Sequence, residues 1–413
     1  MKVLVISSKY SPEYAGSAIV AHRLYKGLNS KYGIKFVVLT SSITFNSNCT
    51  YFTDDVRVHR IAKKFINQFP YRTDLNGLKN IIFILRFTIQ RFIIYWVEAF
   101  PTFIYLIRNF NKFDLFHIYG NVTVTSAAIT FAKITGKPII IELQNMVYDP
   151  HQYEPSLFSI FLKKGFPKQA LIVCISEHLV NVCKANGYGH HQIWNRPNPV
   201  DENRFFFEVS AKTKYRQKLQ LFDSSDIVIL HLAKFIPRKK QLFMVEVLSD
   251  LPDYYKLILA GPKIESGPLL ERDQSYYQTI LDAVRDHHLE KRVRFIPRFL
   301  ERPEDYIKAS DIFVLPSVME GLGTTFLEAL ACGVPVVTND IPGVFDEWIK
   351  PGKNGFICSL NHSEWAQIIQ QAAGIDKHSM KLASEEVLSR ISLESTITQT
   401  FRRLKVLTKR AES

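Results

Sequence analysis

Residues 316–337, reading PSVMEGLGTTFLEALACGVPVV, constrain the fold more than any other part of the chain. Ahead of them, residues 311–315 (DIFVL) form a short apolar run with β-branched members, bounded by Pro316. That is the pattern of a buried strand ending in a loop. After Gly323 the spacing changes. Phe326, Leu327, Leu330 and Ala331 recur at three- and four-residue intervals, the period of a helix. Gly333 stands where a helix stops, and residues 334–337 (VPVV) read as the next strand. Strand, glycine loop, helix, strand is the repeating unit of a parallel α/β sheet.

The chemistry follows from the same residues. Glycines let backbone amides approach a ligand closely, and a helix N-terminus offers unpaired N–H groups and partial positive charge to an anion. A carboxylate in that loop, Glu320, does not suit the anion but does suit sugar hydroxyls, whose hydrogen bonds it accepts. Glu328 follows about two helical turns later. The pair fits hydroxyl-bearing groups on either side of a phosphate, as in a nucleotide sugar. A capped helix with two ordinary surface glutamates fits the same spacing.

The segment closely resembles the sugar-nucleotide motif of the retaining glycosyltransferases of family 4 (glycosyltransferase group 1). There two glutamates are separated by seven residues across a glycine-rich loop, and an Ala-Cys-Gly-x-Pro-Val run follows. The resemblance implies that Glu320 contacts the donor sugar, Glu328 the ribose hydroxyls, and the amides of Leu322, Gly323 and Thr324 the diphosphate. It also implies the GT-B fold, two Rossmann-like doubly wound domains facing a central cleft. Residues 1–202 would bind the acceptor and 203–385 the nucleotide sugar, with residues 386–413 a helix crossing back to the first domain.

Length and composition agree with such a protein. The 413 residues, 46% hydrophobic and 22% charged, suffice for two cored domains. Five cysteines, odd in number and without a C-x-x-C pair, read as reduced residues of a cytosolic protein. The apolar start MKVLVI is too short for a signal peptide. A net charge of +13 invites an anionic partner. Helix-turn-helix, zinc-ligand and RNA-binding patterns are missing from the sequence, so nucleic acid is not expected.

The first half supplies looser signals. Residues 3–7 read as a strand and the positions around Val20, Leu24 and Leu28 as a helix, with Gly16 at its entrance. This resembles the family's N-terminal glycine loop. Further strands are expected at 36–40, 56–61, 114–118, 138–143 and 171–176. Between Arg57 and Lys112, ten basic residues against Asp74 and Glu98 leave a local charge of +8, interleaved with aromatic and aliphatic residues. Arg86, Arg91, Glu98 and Pro101 interrupt the run, so it should not span a bilayer. It reads either as a basic, aromatic stretch lying on an anionic membrane surface or as core helices with a solvated basic edge. The family resemblance favours the first. His117 reads as a structural histidine. Gln144 stands where relatives commonly have a histidine; it can hydrogen-bond the donor but cannot shuttle protons near neutral pH.

In the second half the strand at 227–233 runs into the basic loop at 234–240 (KFIPRKK). In the family an arginine and a lysine five positions apart neutralise the donor diphosphate. The matching residues are Lys234 and Lys239, with Arg238 a candidate to compensate for the lost guanidinium fork. Gly261-Pro262 is a loop of little specificity, and Glu347 a structural residue. Lys239, Glu320 and Lys234 are therefore the candidate catalytic residues. No Asp-x-Asp occurs, so neither a bridging metal nor another cofactor is expected.

What the resemblance implies is transfer of a sugar from a nucleotide diphosphate donor to a hydroxyl of a glycan or lipid-linked acceptor, with retention, in surface polysaccharide or lipopolysaccharide biosynthesis. The location implied is cytoplasmic, at the inner face of the cell membrane if residues 57–112 meet lipid. A nucleotide-sugar epimerase, a phosphorylase and a catalytically silent membrane-associated subunit are the alternatives.

Overall fold

The computed structural model describes residues 1–13, 16–42, 47–62, 96–97, 99–144, 165–265 and 269–412. By contact the chain divides into two compact units. One comprises Met1–Ile175, Leu179–Arg196 and Thr396–Ser413, the other Ser176–His178 and Pro197–Ser395. The sequence reading puts the passage near residue 202 and the return near 386.

The first unit holds an eight-stranded sheet in the order β3-β4-β2-β1-β5-β6-β7-β8. Its strands are β1 (Lys2–Ser7), β2 (Lys35–Ser42), β3 (Cys49–Thr53), β4 (Val56–Ala62), β5 (Leu115–Tyr119), β6 (Ile139–Leu143), β7 (Leu171–Cys174) and β8 (Ile193–Asn195). All pairings are parallel except that of β3 with β4. β3 was not anticipated. It folds back through Asp54 and Asp55, both at positive φ (46° and 66°), the two-residue turn whose twist matches a hairpin.

The helix Gly16–Tyr32 follows β1 and buries Leu24, Tyr25 and Leu28. On it rests the last helix, Leu393–Glu412, with Tyr32 stacked on Phe401 at 3.8 Å. Gly27 is bare there because a Cβ would stand 2.2 Å from Ile397. The expected single helix at 386–413 is two, Lys377–Ile391 and Leu393–Glu412. At the break the carboxylate of Glu202 accepts from the amides of Leu393 (2.8 Å) and Glu394 (3.1 Å), capping the second helix from a distant part of the chain.

Of the basic aromatic stretch, residues 63–95 and 98 lie outside the described residues. Pro101 sits within a helical stretch at 99–109. Arg60 does not face outward: it is 1% exposed, paired with Glu13 at 2.7 Å and donating to the carbonyls of Tyr10 and Ser11. It therefore leaves the set of charges offered to a surface. Among the described residues no helix is long and apolar enough to cross a membrane.

The second unit holds a six-stranded, wholly parallel sheet in the order β11-β10-β9-β12-β13-β14. The strands are β9 (Ile227–Leu232), β10 (Tyr255–Ala260), β11 (Val293–Ile296), β12 (Ile312–Leu315), β13 (Val336–Asn339) and β14 (Gly355–Cys358). One face is covered by the helices Gln241–Ser249, Leu270–Asp286 and His362–Ala373, sharing a core of Met244, Leu248, Leu257, Ile280, Val314 and Trp365. The helix Thr324–Ala331 packs instead with Pro303–Ala309 and Lys377–Ile391. The strand order reverses between β9 and β12, and their following helices leave to different sets of neighbours. That is where open α/β sheets place a ligand, outside the carboxyl ends of the strands.

The loop after β9 depends on Gly261, which follows β10. Gly261 has φ +133°, and a Cβ there would lie 2.1 Å from the Ala233 carbonyl oxygen. Ala233 N donates to Ala260 O at 2.9 Å and Phe235 N to Pro262 O at 3.2 Å, so the two loops are laced together. The glycine is required, not incidental. Gly261→Ala is expected to cost about 2 kcal/mol or more, from strain and forced separation of these loops. Gly16→Ala, where a Cβ meets nothing within 4 Å, should change thermal stability by less than about 0.5 kcal/mol. Equal losses in thermal unfolding would contradict this account of Gly261.

Candidate functional site

Two loops leave the carboxyl ends of β9 and β12 side by side. Val318 N donates to Arg238 O at 3.0 Å, and the Arg238 guanidinium donates to Met319 O at 2.7 Å. Lys239 Nζ then pairs with Glu320 Oε1. Three contacts at successive positions stitch the basic loop to the glycine loop. The far side of the glycine loop is held as well, by Asn339 Nδ2 donating to Ser317 O at 3.1 Å.

The helix Thr324–Ala331 begins directly behind these contacts. Gly323 precedes it at φ 76°, and a Cβ there would stand 2.9 Å from Leu315 Cδ2, so only glycine enters this turn without strain. No side chain caps the helix start. Its first amides are thus left without a side-chain cap, the arrangement that suits an anion. Asn198 Nδ2 donates to Thr324 Oγ1 at 3.1 Å, fixing the first hydroxyl of the helix.

Charge and burial set the chemistry. The Lys239 side chain is 13% exposed and that of Glu320 7%. Burial lowers the Lys239 pKa and the Glu320 carboxylate works against it; the net shift is downward. Beneath the basic loop, on β9, His231 is 1% exposed with neither ring nitrogen hydrogen-bonded. Burial, reinforced by the Lys239 charge, pushes its pKa down to about 3. Gln241 donates through Nε2 to Lys234 O at 2.7 Å and leaves its buried Oε1 without a partner.

The structure therefore brings Lys239 and Glu320 together, with Leu322, Gly323 and Thr324 in the adjoining turn. Lys234 enters the same loop, its carbonyl anchored by Gln241. Glu328 lies half-buried one turn into the helix. Arg238, the candidate for a second phosphate ligand, has its guanidinium on the Met319 carbonyl and acts first as a loop fastener. Glu347 pairs with Arg390, as a structural residue would. The sequence reading missed His231, Asn198 and Gly261. A lone histidine in the otherwise apolar β9 was the available signal for the first.

Gly16 and Gln144 belong to the first unit. Gly16 opens its helix, exposed; Ala15 and Asn145 lie outside the described residues. Gln144 follows β6 and donates through Nε2 to Glu142 Oε2 at 3.2 Å. Glu142 is fully buried and also holds Arg196 and His117 Nε2, the latter at 2.9 Å. Burial works to raise its pKa, but Arg196 and His117 outweigh it and the net shift is downward. An ionised Glu142 only accepts, so His117 carries its proton on Nε2 and its Nδ1 accepts from Tyr25 Oη at 2.7 Å. His117 is thus a satisfied, neutral, structural histidine, and Gln144 is tethered rather than loose.

Residues 211–385 match the family model described as Glycosyl transferases group 1. This domain is thus similar to the group 1 glycosyl transferases. N-acetyl-alpha-D-glucosaminyl L-malate synthase of Bacillus anthracis is 23% identical over 282 residues, 68% of each chain. The O-antigen biosynthesis glycosyltransferase WclY of Escherichia coli is 30% identical over 57% of this chain and 63% of its own length. Among solved structures, Anabaena Alr3699/HepE in complex with UDP and glucose superposes with a TM-score of 0.69. It covers 98% of this chain and all of that one at 17% identity, and WaaG, a glycosyltransferase of lipopolysaccharide biosynthesis, gives 0.63 over 98% and 99% at 14% identity. The fold is accordingly GT-B.

The state of His231 has a measurable consequence. It is neutral in the folded protein but binds a proton below about 6.5 when unfolded. The unfolded chain binds more protons between pH 6.5 and 3, so stability falls as pH falls through that window. At pH 5 the loss from this residue is about 2 kcal/mol. His231→Leu should therefore lose less stability than the wild type between pH 7 and 5 in chemical denaturation. An identical pH dependence would show that the imidazole is not held neutral.

Proposed function

We propose that the chain moves a sugar from a nucleotide diphosphate donor to a hydroxyl of a glycan or lipid-linked acceptor, with retention of anomeric configuration, in building a surface polysaccharide or lipopolysaccharide. The observation that carries this reading is the meeting of Lys239 and Glu320 beside the uncapped start of the Thr324–Ala331 helix, at the carboxyl ends of β9 and β12. A cation, helix amides and a carboxylate gathered at one turn are the groups that a diphosphate linked to a sugar calls on. The relatives' names support it. They include a UDP-Gal:alpha-D-GlcNAc-diphosphoundecaprenol galactosyltransferase of Escherichia coli, 24% identical over 62% of this chain.

The roles follow from charge. As the glycosidic bond breaks, negative charge grows on the leaving diphosphate. Lys239, Lys234 and the amides of Leu322, Gly323 and Thr324 meet it as preorganised donors. Glu320 accepts from hydroxyls of the donor sugar and Glu328 from those of the ribose. With cations and a helix start available and no Asp-x-Asp in the sequence, the diphosphate is held without a bridging metal. The remaining basic residues of 57–112 are the part of the chain proposed to meet an anionic membrane surface, now without Arg60.

Lys239→Ala and Glu328→Ala should each lower turnover with a matched donor and acceptor by on the order of 10²–10³, while leaving circular dichroism unchanged. Near-normal rates in both would remove the site assignment. Product analysis separates the alternatives. An isomerised donor formed without acceptor would mean an epimerase, and sugar 1-phosphate formed from inorganic phosphate a phosphorylase. Turnover surviving excess EDTA is the expected result for a metal-independent transferase.

A further inference from the structure

Lys239 and Glu320 are assigned different parts of the donor, yet in the structure they hold each other. Both side chains are nearly buried, at 13% and 7% exposure, so solvent and salt screen the pair little. The loops that carry them do not rely on this ion pair. Val318 N donates to Arg238 O and the Arg238 guanidinium to Met319 O, so the same two segments are joined without Lys239 or Glu320. The pair can therefore open without moving the loops.

Resting on the function proposed above, we propose that Lys239 and Glu320 exchange partners when the donor binds, and that their pairing discriminates the intact nucleotide sugar from the spent nucleoside diphosphate. An intact donor compensates both charges at once: its diphosphate takes Lys239 and its sugar hydroxyls take Glu320. A nucleoside diphosphate compensates only the lysine. It strips Glu320 of its counterion and sets a multiply charged anion against a buried carboxylate. The ion pair is thus a competitor that only the sugar-bearing nucleotide fully replaces. After transfer, Glu320 reclaims Lys239 and loosens the diphosphate product. Glu320 then acts twice, as a sugar ligand and as the group that weakens product binding.

The test is isothermal titration of the full chain with UDP, GDP and ADP and with UDP-glucose, GDP-mannose and ADP-glucose. The variants are E320Q, E320A, K239A and K239A/E320Q, each with its thermal unfolding read in parallel. Removing the carboxylate should move the two ligand classes in opposite directions. E320Q and E320A should bind the preferred nucleoside diphosphate about tenfold more tightly than wild type, and their preference for the nucleotide sugar over that diphosphate should fall by more than tenfold. In the K239A background the gain from E320Q should vanish, because it acts through the lysine. If E320Q and E320A fold and bind the diphosphate no more tightly than wild type, the exchange is wrong. Weaker diphosphate binding by K239A alone would then still support the donor site. A wild type that binds none of these nucleotides would end both proposals.

Discussion

The strand order of the second sheet sets a place where a ligand can sit without breaking a hydrogen-bonded ladder. In β11-β10-β9-β12-β13-β14 the chain leaves β9 toward one set of helices and β12 toward another. The two loops therefore meet at the carboxyl ends of neighbouring strands, where open α/β sheets bind their ligands. The basic loop, the glycine loop and the helix start all lie there. The stitch between Arg238 and residues 318–319, and the bare crossing at Gly261, are what hold the two loops in place.

Within that frame the side chains are poised rather than relaxed. A buried lysine–glutamate pair is a weak source of stability, since removing two charges from water costs about as much as their attraction returns. Its presence at these strand ends is better understood through what displaces it. The neutral His231 below fits this view. A second cation beneath Lys239 would compete for the same anion, and burial keeps the imidazole uncharged. In the first unit, Glu142 plays a different part. There a carboxylate gathers Arg196, His117 and Gln144 around the end of β6.

Much of this was legible in the sequence because period and punctuation coincide. The runs around Val3, Ile229, Phe313 and Val337 are short, apolar and followed by glycine or basic loops, and each is a parallel strand. Glu320 and Lys239 stand out in the sequence by their motifs; their mutual contact does not. Other features depend on distant partners. β3 lacked the usual Asn-Gly turn signal, because Asp54 and Asp55 adopt left-handed conformations that aspartate tolerates only moderately. Arg60 counts as surface charge until Glu13 and the carbonyls of Tyr10 and Ser11 are seen around it. The helix break at Ser392 has one local mark, its hydroxyl accepting from Ser395 N at 3.3 Å, but the carboxylate that completes the cap comes from the distant Glu202. Gly261 looked like an ordinary turn because its constraint is the backbone of another loop.

The most direct measurement is a crystal structure of the full chain with the nucleoside diphosphate or nucleotide sugar that it binds best. The diphosphate should lie within hydrogen-bonding distance of Lys239 Nζ and the amides at Gly323 and Thr324, with the ribose against Glu328. A nucleotide seated elsewhere, with the carboxyl ends of β9 and β12 untouched, would contradict it.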